Sequence, residues 1–262
     1  MVVWKHEWRQ NYKVFLIFCL TVGLCCCGCV LMFDSVAESM EQMAAGFAEM
    51  GRFSLAFGMD KISIATLEGF YAVEINLIFS LGGVMFAAMT GAALLSKEEE
   101  GHTAEFLHTL PLGREAIVAS KYAALVTLVV AFNLVGVLFE LLGIIGVSEN
   151  FAWKEYVMYH VLSLLMQLEI GSVCFLVSAC SRKKQIGAAL GLSIFMYLLD
   201  VMCRIVPDLE GAKFITPFYY CNAADVFSKS EPETICIGIG VLITIVSCLT
   251  AGVVYRKRDI TG

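Results

Sequence analysis

Charge is what this chain is short of. Asp, Glu, Lys and Arg together make up 16% of its 262 residues, against about 25% in an ordinary soluble domain. Apolar residues make up 59%, more than a soluble protein can hide behind polar groups. An ordinary soluble enzyme, a disordered chain and a secreted disulfide scaffold are thereby excluded, which leaves a polytopic membrane protein. A basic excess is missing too, since 18 Lys and Arg stand against 24 Asp and Glu, a net charge of −6. No nucleic-acid partner is expected, because that partner needs a concentrated basic surface. Among the 11 cysteines, no two CxxC pairs are set out with zinc-finger spacing. Cys25, Cys26, Cys27 and Cys29 read as small apolar packing residues. Neighbouring helix positions point about 100° apart and cannot converge on one ion.

What the chain does have is long apolar runs. A spanning helix needs about 20 mostly apolar residues. Six stretches qualify: 14–33, 71–95, 122–147, 157–179, 186–206 and 234–254. The first is too long for a secretion signal and lacks a small-residue cleavage site. Twelve of the Lys and Arg residues fall on one side of the weave, three in each of four segments. These are Lys5, Arg9 and Lys13; Lys97, Arg114 and Lys121; Arg182, Lys183 and Lys184; and Arg256, Lys257 and Arg258. Five fall on the other side. The positive-inside rule then puts both termini in the cytoplasm. The expected fold is an all-α polytopic membrane protein, a single transmembrane domain over 1–262 with six transmembrane helices.

The segments between the spans carry patterns of their own. Over 1–13, Trp4, Trp8 and Tyr12 recur every four residues between Lys5, Arg9 and Lys13. This predicts an amphipathic N-terminal helix lying along the membrane surface. In the long outer loop, 34–70, Val36, Met40, Met43, Phe47 and Met50 form a stripe. It suits a helix on the outer membrane face or a cap on the bundle. The outer segment 207–233 is too polar to span, yet it holds Phe214, Phe218, Tyr219 and Tyr220 around Pro217. Short re-entrant helices with aromatics at the interface are expected before the last span. Gly187 and Gly191, four apart, mark a close helix approach within the chain or between chains.

Ionisable residues inside spans are costly and are functional candidates by default. Here they are Glu74, Glu140, Glu169, Asp200 and Arg204. Asp200 and Arg204 are i and i+4 and can pair. The remaining acids could ring a water-filled outer vestibule. Glu169, beside Gln167, lies nearest the midplane and is a candidate substrate contact. One functional reading is therefore an ion-coupled carrier or channel using these carboxylates. Another is an intramembrane hydrolase using His102, Glu105 and His108, or His160 with Glu169. Zinc-binding His pairs on helices favour i, i+4 spacing. Six residues apart, the side chains diverge by about 120° and about 9 Å.

The segment 96–121, between the second and third spans, reads SKEEEGHTAEFLHTLPLGREAIVASK. Acids open a short helix, where they complement its dipole, Phe106, Leu107 and Leu110 give it an apolar edge, and Pro111 and Gly113 end it. The order of acid cluster, Gly101, Phe106-Leu107, Leu110-Pro111, Arg114 and Lys121 resembles the permease subunits of type-2 ABC exporters. The amphipathic start, the helical break before the last span and the basic end at 255–259 extend the resemblance to the whole architecture. It departs at His102, where many relatives carry Thr directly after Gly; here Thr103 comes one place later.

The resemblance implies that 96–121 holds a cytoplasmic coupling helix seated on a separate ABC ATPase subunit. Glu100, Gly101, Phe106, Leu107, Leu110, Pro111 and Arg114 would be its docking residues. It also implies a second permease chain, identical or homologous, and a bacterial cell membrane. No cofactor is expected on this chain, which has no GxxxxGK[ST] phosphate loop. ATP and Mg would bind the partner ATPase. An amphipathic or apolar substrate (peptide, lipid or drug) would leave the cytoplasm.

Overall fold

The computed structural model describes residues 2–48, 50–104, 111–147, 151–228 and 233–258. Among them there is no strand, and six helices are long and apolar enough to cross a membrane. The long helices are α1 (Val2–Ala48), α4 (Asn76–Leu94), α6 (Arg114–Val147), α7 (Trp153–Cys180), α8 (Ile186–Ile205) and α10 (Thr234–Lys257). Between them lie the short helices α2 (Arg52–Phe57), α3 (Leu67–Phe70), α5 (Lys97–Glu100) and α9 (Ala223–Phe227). A π-helical turn, Tyr71–Ile75, joins α3 to α4, and a 3-10 helix, Pro207–Phe214, follows α8.

The first helix corrects two expectations. Neither Gly nor Pro occurs before Gly23, so nothing separates a surface helix over 1–13 from the first span. They form one rod of 47 residues, about 70 Å long, more than twice the thickness of a hydrocarbon core of about 30 Å. The aromatic face meets protein where lipid was expected. The indole Nε1 groups of Trp4 and Trp8 both donate to Thr127 Oγ1 on α6, over 3.0 and 2.9 Å. The same rod continues past residue 33 into the segment read as a loop. Val36 and Met40 pack on the core there, while Met43 and Met50 are exposed. Phe47's side chain lies outside the described residues.

The bundle is built around α4 and α7. Each has 61% of its most apolar stretch buried, against 22% for α8 and 17% for α10. Glycine permits this closeness: a Cβ on Gly91 of α4 would collide with the Gly171 carbonyl oxygen of α7. Gly187 and Gly191, by contrast, meet no described atom within 4 Å of where a Cβ would stand. The intramolecular reading of that pair is thereby set aside. α8 turns Ala189, Ser193, Asp200 and Cys203 inward and leaves the two glycines exposed.

The segment after α8 carries two short helices, Pro207–Phe214 and α9, on either side of Pro217. Of the aromatics around Pro217, Phe218 and Tyr220 are buried in the bundle, Tyr219 is half-buried and Phe214 is exposed. Thr216 Oγ1 donates to the Met196 carbonyl over 2.8 Å, which folds the segment back onto α8.

Candidate functional site

The start of α1, the end of α10 and α5 meet at one end of the bundle, where each of Glu98, Glu99 and Glu100 has a partner. Lys121, at the head of the third span, is wholly buried. Its Nζ lies 2.5 Å from Glu98 Oε1 and 3.0 Å from Glu7 Oε1, and it also donates to the Leu94 carbonyl. Lys97 donates to Glu7 Oε2 and to Gln10 of α1. Glu99 Oε2 takes Arg258 Nη2 at 2.8 Å, and Arg258 Nη1 reaches the Ala179 carbonyl at the end of α7. Glu100 Oε2 accepts from the backbone N–H of Lys184 over 2.6 Å, in the turn between α7 and α8. Three consecutive acids thus grip three different elements. Ser178 Oγ adds a fourth tie by accepting from the N–H groups of Leu95 and Ser96. Arg114 donates to the carbonyls of Arg256 and Arg258, and Arg256 pairs with Glu115 at 2.5 Å. Burial pulls the Lys97 ammonium below its ordinary range; Glu7 opposes this and Lys121 adds to it.

The helix α5 ends in a Schellman motif. The N–H of Thr103 bonds to the Glu98 carbonyl and that of His102 to the Glu99 carbonyl, the 6→1 and 5→2 pair. The left-handed residue this motif needs is His102, at φ 52°, and not Gly101, which stands at φ −87°. The one-place shift of Thr noted in the sequence therefore puts a bulky residue where glycine is favoured. Pro111 and Gly113 are exposed. Phe106, Leu107 and Leu110, with Glu105 and His108 of the hydrolase reading, lie outside the described residues. Among the described residues no cluster of His, Cys, Asp and Glu could hold a metal.

The acids of the spans do not ring a vestibule. Glu140 is wholly buried, and its Oε2 accepts from Tyr71 (2.5 Å), His160 Nε2 (3.0 Å) and Tyr156 (3.2 Å). It binds the π-helical turn to α6 and α7 near the end opposite the termini. Glu169 and Gln167 do not share a site, because residues two apart on a helix diverge by about 200°. Glu169 Oε2 accepts from Tyr220 over 2.9 Å and faces Gly240 of α10. Gln167 instead bonds Asn133 at 2.7 Å and Ser163 at 3.0 Å, opposite Gly83 of α4. Glu74 is exposed. Arg204 holds Asp200 at 3.1 Å and Asp225 of α9 at 2.9 Å, and also donates to the Tyr219 carbonyl. Lys61 completes this chain, 2.5 Å from Asp225. The space beside it is a small cavity of about 30 Å³ whose lining includes Asp200, Asn76, Ser80 and Phe218, room for one or two waters.

Several of these partners were missed in the sequence. Glu7 had a signal, being the only acid in the first 33 residues and so a charge in need of a partner. His160, paired with Glu169 in the hydrolase reading, lies on Glu140 instead. Tyr71, Tyr156 and Tyr220 had no signal, because nothing in their local pattern distinguishes a hydrogen-bonding ring from a packing ring. No curated protein matches the sequence. A family model described as ABC-2 family transporter protein matches residues 1–260. With six apolar helices in the bundle and a match over nearly the whole chain, this multi-pass membrane protein belongs to the ABC-2 transporter family.

Proposed function

We propose that this chain is the membrane half of an ATP-driven exporter, with both termini and the 96–121 segment in the cytoplasm of a bacterial cell. A separate ABC ATPase docks on that segment through Glu100, Gly101, Phe106, Leu107, Leu110, Pro111 and Arg114, and binds the ATP and Mg. A second permease chain, identical or homologous, completes the pathway, and the exposed pair Gly187 and Gly191 is a surface suited to it. The cargo is amphipathic or apolar.

One observation carries this reading: Glu98, Glu99 and Glu100 tie the segment to α6, to the chain after α10 and to the α7–α8 turn. A push on a segment held in this way is delivered to three helices together. A mobile, untethered loop would absorb it. The charge-poor spans and the pairing of Arg204 with Asp200 and Asp225 give an ion path little to work with. Glu169, buried and held by a single tyrosine, is the residue that favours the ion-coupled alternative.

The test is the ATPase activity that co-purifies with this chain, compared between wild type and Phe106→Asp/Leu107→Asp. Loss of the ATPase from a folded variant supports docking at this segment. Full retention refutes it, as does transport that persists without ATP and follows an ion gradient.

A further inference from the structure

The end of the bundle that carries the termini has an unusual division of charge. Every described acid there is committed to an internal partner. Glu7 holds Lys97 and Lys121, Glu98 holds Lys121, Glu99 holds Arg258, Glu100 holds the Lys184 backbone and Glu115 holds Arg256. Three cations on α1 are left over. Lys5, Arg9 and Lys13 are all exposed, and among the described residues no ion pair or hydrogen bond engages them. They stand at i, i+4 and i+8, hence on one face of the helix.

Packing of the aromatic side turns this face outward. Trp4 and Trp8 are held on Thr127 of α6, and Glu7 points into the bundle. The level is also right. Lys13 directly precedes the charge-free run 14–33, and the stripe extends about 12 Å from Lys13 to Lys5 along the axis. A headgroup layer is about 5–7 Å deep on each side of the hydrocarbon. Lys13 and Arg9, within about 6 Å of the hydrocarbon edge along the axis, fall in that layer, and the long side chain of Lys5 reaches back toward it by snorkelling.

We propose that Lys5, Arg9 and Lys13 form a docking stripe for anionic phospholipid headgroups, fixing the register of α1 in the bilayer. The chemistry is charge complementarity. Each basic group near an anionic membrane surface contributes about 1 kcal/mol, and these three have no intramolecular acid to compete for them. Arg9 adds paired donors that suit a phosphodiester, while the two lysines act as point charges. The stripe requires no particular orientation of the chain and is independent of the exporter reading.

The experiment uses the full chain, reconstituted in vesicles of equal phosphatidylglycerol and phosphatidylcholine, extracted gently and weighed intact by native mass spectrometry. Wild type is expected to retain phosphatidylglycerol over phosphatidylcholine, and rising salt should erode that preference. In Lys5→Gln/Arg9→Gln/Lys13→Gln the preference at this site should fall roughly a hundredfold, since three such contributions are lost. The single changes Arg9→Gln and Lys13→Gln should give graded losses. Circular dichroism of the triple variant should match wild type, because none of the three side chains packs inside. Equal retention of both lipids by wild type would overturn the proposal. So would a triple variant that keeps its preference, or one that loses a co-purifying protein while its lipid profile is unchanged. The last result would assign the stripe to a protein partner.

Discussion

Lys121 and Glu98 meet at 2.5 Å, with the lysine fully buried at the head of the third span and the glutamate in the short helix that follows the second. Glu7 completes a triad on the same ammonium. Removing one member of a buried ion cluster leaves the others uncompensated, at a cost of about 3–5 kcal/mol. Lys121→Met should therefore lower thermal stability in detergent sharply. Glu98→Gln, which keeps the shape and leaves Glu7 on the lysine, should cost less. Equal, small effects in the two variants would show that the lysine is not the hub.

Tyr71 gives the far end a comparable joint. Its hydroxyl donates to Glu140 over 2.5 Å from a π-helical turn, and such turns concentrate at functional positions. Tyr71→Phe removes a hydrogen bond to a charged or proton-sharing group, a loss of about 1.5–3 kcal/mol. Tyr156→Phe, whose bond is longer at 3.2 Å, should cost less. Unfolding in denaturant of the two variants, ranked against wild type, checks the order.

Gly240 makes room for the Glu169 bond. A Cβ there would collide with Glu169 and press on the Tyr220 hydroxyl. Gly240→Ala should separate α10 from α7 and mimic Tyr220→Phe in whatever transport assay the complex supports. If Gly240→Ala is silent while Glu169→Gln abolishes transport, the carboxylate acts on cargo or an ion and not through Tyr220.

His102 occupies a left-handed position without being glycine. His102→Gly should stabilise the segment by about 1 kcal/mol, and His102→Val should destabilise it, since a β-branched residue is worst there. Hydrogen exchange at the amides of His102 and Thr103, which close the motif, would report both changes. A faster exchange in His102→Gly would contradict the geometry.

Lys97 supplies a pH signature. Burial lowers its proton affinity in the folded chain relative to the unfolded one, so the unfolded state binds more protons over the window between the lowered value and the ordinary 10.5. Stability contributed by this site should rise with pH through that window. Lys97→Met should flatten the rise, measured by denaturant unfolding across mildly to strongly alkaline pH.

The two levels of description divide along physical lines. That six segments cross a membrane follows from hydrophobicity summed over about 20 residues, a local quantity that the order of residues fixes by itself. The family was legible for a similar reason, because the spacing from Glu98 to Lys121 is contiguous in the chain. The partners of those residues were not legible. Glu7 and Lys121 are 114 positions apart, and Tyr71 with Glu140 and Glu169 with Tyr220 are 69 and 51 apart. Local pattern did not show that Trp4 and Trp8 face a helix rather than lipid, since both surroundings reward the same amphipathic stripe. The sequence by itself determined the number of apolar spans and the charged segment that joins the second to the third. Only the tertiary structure decided which buried charge meets which. A charge withdrawn from water must find a partner in space, and the packing of α1, α6 and α7 sets which partner is within reach.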